Sequence, residues 1–193
     1  INELIKISEP DPSKNIFFLW PEGIIPDIYQ NEFVQYQYLF KDHFNSNHLL
    51  GLGINKQSYD QSGAKFFNSF SIYDNNLNLL NSYDKINLVP FGEFLPFEEI
   101  LRKIGLKNLT NNYQSYSKGQ KREAIQVNWE LFSFKLLPLI CYEIIYSGRL
   151  YSDQNFDYII NISEDGWFGS SIGPKQHFVH STFRAIESGK YII

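Results

Sequence analysis

Three residues in this chain are of types that could carry covalent chemistry, and each stands where an apolar run stops. Glu22 follows IFFLWP (Ile16–Pro21), Lys85 sits within LLNSYDKINLVP, and Cys141 follows LLPLI. Strand ends are where layered α/β folds gather reactive side chains. A carboxylate, an ammonium and a thiol make a coherent nucleophile set. The carboxylate takes the thiol proton, the ammonium stabilises thiolate and oxyanion, and the thiolate attacks a carbonyl. Taken singly, each has a plainer reading. A lone cysteine is usually a small buried hydrophobe, Lys85 reads as a solvated hairpin lysine, and Glu22 as a turn carboxylate beside Pro21.

The elements that must hold these residues alternate between strand and helix. Ile16–Trp20 (IFFLW), His48–Ile54 (HLLGLGI), Glu130–Ile140 and Tyr158–Ile162 (YIINI) are apolar runs of strand length. Phe66–Tyr73 and Leu79–Leu88 flank the turn Asp74-Asn75-Asn76 and predict a hairpin. Helical periodicity covers Tyr29–Phe44 and Phe97–Ile104, and a longer helix runs from Pro174 to Ser188 with Gly189 as its stop. Lys190–Ile193 then begins a buried strand, so the chain is expected to be a piece of a longer protein with material on both sides. The mixture predicts an α/β layered domain with several strands buried on both faces.

Composition narrows the function classes. A chain of 193 residues without repeats or low-complexity linkers is expected to form one domain over 1–193. Seventeen Lys and Arg against 21 Asp and Glu give a net charge of −4, and no basic run is present, which argues against a nucleic-acid partner. Aromatic residues make up 17% of the chain, enough for a packed core. The single cysteine rules out an internal disulfide and a Cys-rich metal site. No stretch of 18 apolar residues occurs; the most apolar run, Leu136–Tyr146, is shorter and carries Glu143.

Four strings, WPEG (Trp20–Gly23), YDKINLVPFGEFLPF (Tyr83–Phe97), ICYEI (Ile140–Ile144) and DGWFGSSIGPKQH (Asp165–His177), resemble the carbon–nitrogen hydrolase (nitrilase) superfamily. Within it they are similar to the catalytic domain of the apolipoprotein N-acyltransferases, and the KINLVPFGEFLPF string is particular to that branch. The resemblance implies a nitrilase-type αββα sandwich, two packed β-sheets with helices outside. It implies Glu22 as general base, Lys85 as catalytic lysine and Cys141 as nucleophile. Supporting roles fall to Glu93, which assists Lys85 or positions the base, to Tyr142, whose backbone N–H is an oxyanion donor, and to Glu143, which orients loop and backbone near the nucleophile. The implied reaction moves an acyl chain from a phospholipid, through a Cys141 thioester, to the α-amine of a diacylglyceryl-cysteine on a lipoprotein, with no metal and no cofactor. The branch places this domain on the periplasmic face of a bacterial inner membrane, attached to transmembrane helices that are not in this sequence.

Several features keep two readings. Trp167 and Phe168 are either core packing or part of an acyl-binding pocket. The loop with Phe91, Phe94, Leu95 and Phe97 is either interior or a lipid-facing surface where Phe91 and Phe94 meet substrate. His177 and His180, with Glu187, are expected to pack rather than bind metal. Gly51-Leu52-Gly53 lacks the third glycine and helix of a dinucleotide fingerprint. Glu164 stands where the family usually carries asparagine, adding a negative charge to the loop. Rival functions are a soluble amidase using the same triad and a truncated remnant that no longer turns over. The fragment is expected to fold poorly or be inactive alone, because a half-begun strand leaves sheet edges unpaired.

Overall fold

A computed structural model of the chain describes residues 1–61, 63–97, 115–129, 132–148, 150 and 155–193. Its first sheet has the order β1 (Ile16–Trp20), β2 (His48–Asp60), β3 (Gly63–Tyr73), β4 (Leu79–Asp84). β1 runs parallel to β2, with Trp20 opposite Leu52; the β2–β3 and β3–β4 pairs are antiparallel, so β4 points the same way as β1. The second sheet has the order β5 (Ile125–Trp129), β6 (Phe132–Ile140), β7 (Tyr158–Ile162), β8 (Tyr191–Ile192), with β6, β7 and β8 parallel. Asp74 closes the β3–β4 turn by accepting from the amides of Asn76 at 2.8 Å and Asn78 at 2.9 Å, a local bond that short polar side chains favour in turns.

Burial separates the layers. Leu49, Phe70 and Ile72 of the first sheet meet Leu136, Ile140, Ile160 and Ile162 of the second in a shared core. The other face of the first sheet packs Phe18, Leu50 and Leu52 against Ile5 of α1 (Asn2–Ser8) and against Phe33 and Phe40 of the turn and short helix that follow. The outer face of the second sheet buries Leu137, Leu139 and Ile159, and α3 (Gly173–Ser188) contacts the turn after β6. The order helix, sheet, sheet, helix is the expected αββα sandwich. α3 is unusual in turning His177, Arg184 and Ser188 inward, while Phe178, Val179, Phe183 and Ile186 are exposed. Its inner face reaches backbone carbonyls: Arg184 donates to Ile145 O at 3.3 Å and His177 bonds Cys141 O at 3.0 Å.

Two expectations change. Instead of one helix over Tyr29–Phe44, the chain forms a 3-10 turn at Phe33–Tyr36 and a single turn of α2 (Gln37–Phe40). Phe33, Phe40 and Phe44 are buried as the periodicity required, but the sheet captures the start of the segment. Gln30 donates from its amide to Asn55 O at 2.8 Å and from its side chain to Ser71 and Ser82. The strand expected to reach Leu88 stops at Asp84, because the amides of Ile86 and Asn87 donate to Glu143 rather than to a neighbouring strand. The helix over Phe97–Ile104 lies, beyond Phe97, outside the described residues, as do Glu130 and Leu131 of the β6 run. Helix α1 and strand β5 carry no reading in the sequence; β5 turns Ile125 and Val127 in and Gln126 and Asn128 out.

Candidate active site

Four strands deliver their C-terminal ends to one place. β1 leads to Glu22, β4 to Lys85, β6 to Cys141 and β7 to Ser163–Asp165. Glu22 lies close over β2, and Gly53 makes that approach possible: a Cβ there would stand 2.5 Å from Glu22 Cα.

Lys85 is 1% exposed, and its ammonium lies 2.9 Å from Glu93 Oε1 and 3.3 Å from Glu22 Oε1. Two carboxylates this close would repel, and two donors keep them together. The second donor is Asn68 of β3, whose side-chain amide gives one hydrogen to Glu22 Oε1 at 2.6 Å and one to Glu93 Oε1 at 2.8 Å. The outer oxygens are held by backbone: Val89 N donates to Glu93 Oε2 and Glu164 N to Glu22 Oε2. Burial opposes the Lys85 charge, but the Glu22 and Glu93 carboxylates outweigh it and hold the ammonium above the ordinary lysine value. This is a fixed cation between two fixed anions. In the sequence Asn68 is marked only by a polar interruption in the FFNSF run.

Cys141 opens a 3-10 turn, Cys141–Ile145, and takes the left-handed φ of 49°. For a residue with a Cβ that region costs about 1–3 kcal/mol and is kept only where neighbours impose it. Burial pushes the thiol up to about 11, and the Glu22 charge adds to the rise. Lys85, the Ser163 hydroxyl and the Tyr142 N–H pull the other way and do not overcome it. The sulfur therefore rests as a thiol at neutral pH, and any attack it makes requires a base.

Glu143, fully buried, accepts more bonds than any other carboxylate near the nucleophile. Its Oε1 takes the amides of Ile86 at 3.0 Å and Asn87 at 2.9 Å, and its Oε2 the amide of Ile140 at 3.0 Å. The Tyr83 hydroxyl bonds both oxygens, and Arg122 Nη2 closes an ion pair while also reaching Asn87 Oδ1. The side chain thus ties the segment after β4 to the turn that carries Cys141. On the other side of that turn, His177 Nε2 meets Cys141 O at 3.0 Å and Nδ1 meets Asp165 Oδ1 at 2.8 Å, and Ser163 Oγ donates to the same Asp165 oxygen at 2.6 Å.

These groups line a cavity of about 730 Å³, within the range of small-molecule sites. Glu22, Lys85, Glu93, Cys141, Tyr142 and Asn68 are among its polar lining, and Val89, Ile145, Trp167 and Phe168 are among its apolar lining. Trp167 is 84% exposed, so it is rim rather than core. Phe91 and Phe94 do not line the cavity: Phe91 stands 71% exposed on the adjoining loop, where its amide bonds Phe94 O at 2.8 Å. Glu164 sits at the cavity wall with its own carboxylate folded onto Gly166 N. The histidine set is divided. His180 lines the cavity, and Glu187 accepts from Ser147 Oγ and Gly148 N. Among the described residues, Cys141, Asp165 and His177 place ligand-type atoms within 4.8 Å of one another, with both ring nitrogens already taken in hydrogen bonds.

Residues 20–193 match the carbon-nitrogen hydrolase family along their whole length. The chain belongs to that family. Solved carbon-nitrogen hydrolases share its fold at low identity. Nit3 of Saccharomyces cerevisiae, a member of branch 10 of the nitrilase superfamily, superposes with a TM-score of 0.60 at 16% identity over 99% of this chain and 65% of its own. XC1258 of Xanthomonas campestris, a superfamily protein with an arsenic adduct in its active site, does so with a TM-score of 0.56 at 15% identity over 99% and 67%. By sequence the chain is 33% identical, over 98% of its length, to the apolipoprotein N-acyltransferase of Rhizobium leguminosarum bv. trifolii, and 34% identical, over 91%, to that of Caulobacter vibrioides. It spans 36% and 34% of those relatives. Among the described residues no helix is long and apolar enough to cross a membrane.

Proposed function

We propose that the chain is the catalytic part of an N-acyltransferase that moves an acyl chain from a phospholipid, through a thioester on Cys141, to the α-amine of a diacylglyceryl-cysteine at the N-terminus of a lipoprotein. The observation that carries this reading is the cavity: a nucleophile, a buried cation and two carboxylates share it with apolar side chains that include an exposed Trp167. A small amide has no use for those apolar side chains, whereas an acyl chain does. The name borne by the relatives agrees.

In the first half-reaction Glu22 takes the thiol proton as Sγ attacks the ester carbonyl. The new oxyanion faces the Lys85 ammonium and the Tyr142 N–H. Its collapse breaks the ester C–O bond, and the proton on Glu22 passes to the departing alkoxide, giving a lysophospholipid. In the second half the amine attacks the thioester, Glu22 receives the amine proton, and the proton returns to sulfur as the C–S bond breaks. Protons balance over the cycle, and no diffusible cofactor takes part. Glu93 and Asn68 keep Glu22 and Lys85 in place. Phe91, Phe97 and Trp167, all exposed, give the site an apolar approach suited to a bilayer. The reading places the domain on the periplasmic face of a bacterial inner membrane.

Incubating the intact protein with detergent-dispersed phospholipid tests it. An acyl thioester on Cys141, cleaved by neutral hydroxylamine, is expected, and Cys141→Ser should give none or a slowly formed ester. Normal acylation of Cys141→Ala would overturn the reading, as would faster turnover of glutamine-like amides than of lipid.

A further inference from the structure

The carbonyl of Cys141 has an unusual partner. In a residue with φ of 49° at a strand end, that oxygen has left the β6 ladder, and it is met by the side chain of His177 from α3. A carbonyl only accepts, so Nε2 carries the proton in this bond. The other ring nitrogen faces Asp165 Oδ1 at 2.8 Å, and Ser163 Oγ bonds that same oxygen at 2.6 Å. His177 is 7% exposed, and its ring is held by Asp165 on one side and the Phe168 ring on the other. It is a built, buried contact on the backbone of the nucleophile.

Peptide planarity gives the contact its consequence. The Cys141 carbonyl and the Tyr142 N–H belong to one rigid plane and point in opposite directions. A donor that draws the oxygen toward α3 turns the N–H to the opposite side, where it counts among the groups that favour the Cys141 thiolate. Rotating this plane by half a turn would aim a carbonyl, rather than a donor, at the place where the oxyanion develops. Glu143 cannot prevent that rotation alone, because it grips the amide of Ile140, two peptides earlier.

We propose that His177, oriented by Asp165 and Ser163, is a positioning residue that fixes the Cys141–Tyr142 peptide plane and so aims the oxyanion-stabilising N–H. It deepens the acyl-transfer reading, and it rests on Cys141 being the nucleophile. It also accounts for the inward polar face of α3, whose task at this point is to reach a backbone oxygen.

The test compares His177→Gln, His177→Asn and His177→Leu in the intact protein, with Asp165→Asn as a variant that leaves the ring in place. The Gln amide can reach the position of Nε2 and keep the bond to Cys141 O; the Asn amide reaches only the Nδ1 side. Single-turnover thioester formation should fall by about 10²–10³ in His177→Leu and His177→Asn, the cost of one lost oxyanion donor. His177→Gln should recover most of it. Asp165→Asn should fall by less, and the phospholipid KM should be unchanged throughout. Equal rates for the Gln and Asn variants, or a loss carried by KM, would overturn the proposal. If wild-type protein forms no Cys141 thioester, the acyl-transfer reading fails. If it does and His177→Leu matches it, only the positioning role fails.

Discussion

Removing the Glu22 charge should move two properties of Cys141 in opposite directions. The thiol is pushed up to about 11 by burial and by Glu22, against 9.0 for an unperturbed thiol. At pH 8 about one sulfur in 10³ is then thiolate, where an unperturbed thiol would have about one in 10. The greater intrinsic nucleophilicity of a high-pKa thiolate returns roughly tenfold of that hundredfold deficit. In Glu22→Gln the anion goes and Lys85 stays, so the thiol must titrate lower, and every unit of that fall supplies about tenfold more thiolate below the midpoint. Alkylation of Cys141 by iodoacetamide, followed by intact mass between pH 7 and 12, should therefore be as fast as wild type or faster, with its midpoint moved down from about 11. Acyl transfer should move the other way, by about 10²–10⁴, because a glutamine amide cannot receive the proton and general-base catalysis is lost. A drop in both rates, with an unchanged alkylation midpoint, would mean that Glu22 acts only by holding the pocket. An unchanged acylation rate would refute its role as base outright.

Lys85→Met should lower single-turnover acylation by about 10²–10³, the cost of one missing oxyanion partner, and Lys85→Arg should not restore it, because a forked guanidinium cannot occupy the point position between Glu22 and Glu93. Wild-type rates in Lys85→Met would remove Lys85 from the mechanism. Glu143→Leu leaves Arg122 and three backbone amides without their acceptor in the interior, so chemical denaturation should show a loss of about 3–5 kcal/mol. A loss below about 1 kcal/mol would mean that water or another side chain takes over those bonds.

Much of this arrangement could be read from residue types alone. Runs of Phe, Leu and Ile ending at Pro21, Lys85 and Cys141 mark buried strands with reactive ends, because burial and chemistry impose opposite polarity at adjacent positions. Asn68, Arg122 and Ser163 could not be read this way, since their work depends on which strands become neighbours. Asn68 lies 46 positions from Glu22 and 25 from Glu93, and only the β2–β3–β4 register makes it their common donor. The premature end of β4 has the same origin. Its sequence continues to favour a strand past Asp84, but a carboxylate 57 residues away at Glu143 offers the Ile86 amide a stronger partner. The Tyr29–Phe44 segment departs from a single helix because aromatic periodicity describes burial and is silent about Gln30, whose side chain is recruited by Ser71 and Ser82.

Base and cation come from the first sheet and the sulfur from the second, so the working distance of the reaction is set by the thickness of the core between them. Packed sheets stand about 10 Å apart, and here that gap is filled by Phe70, Ile72, Leu136, Ile140 and Ile162, with Cys141 packed against the same cluster. These side chains behave as shims. A substitution that keeps the interior stable but alters its depth by the width of a methyl group would detune proton transfer while leaving every named polar contact on its own sheet intact. Drift at these positions is therefore under two constraints, one from folding and one from alignment. Paired changes that conserve combined volume across the seam are the route by which such a core can vary without cost to chemistry.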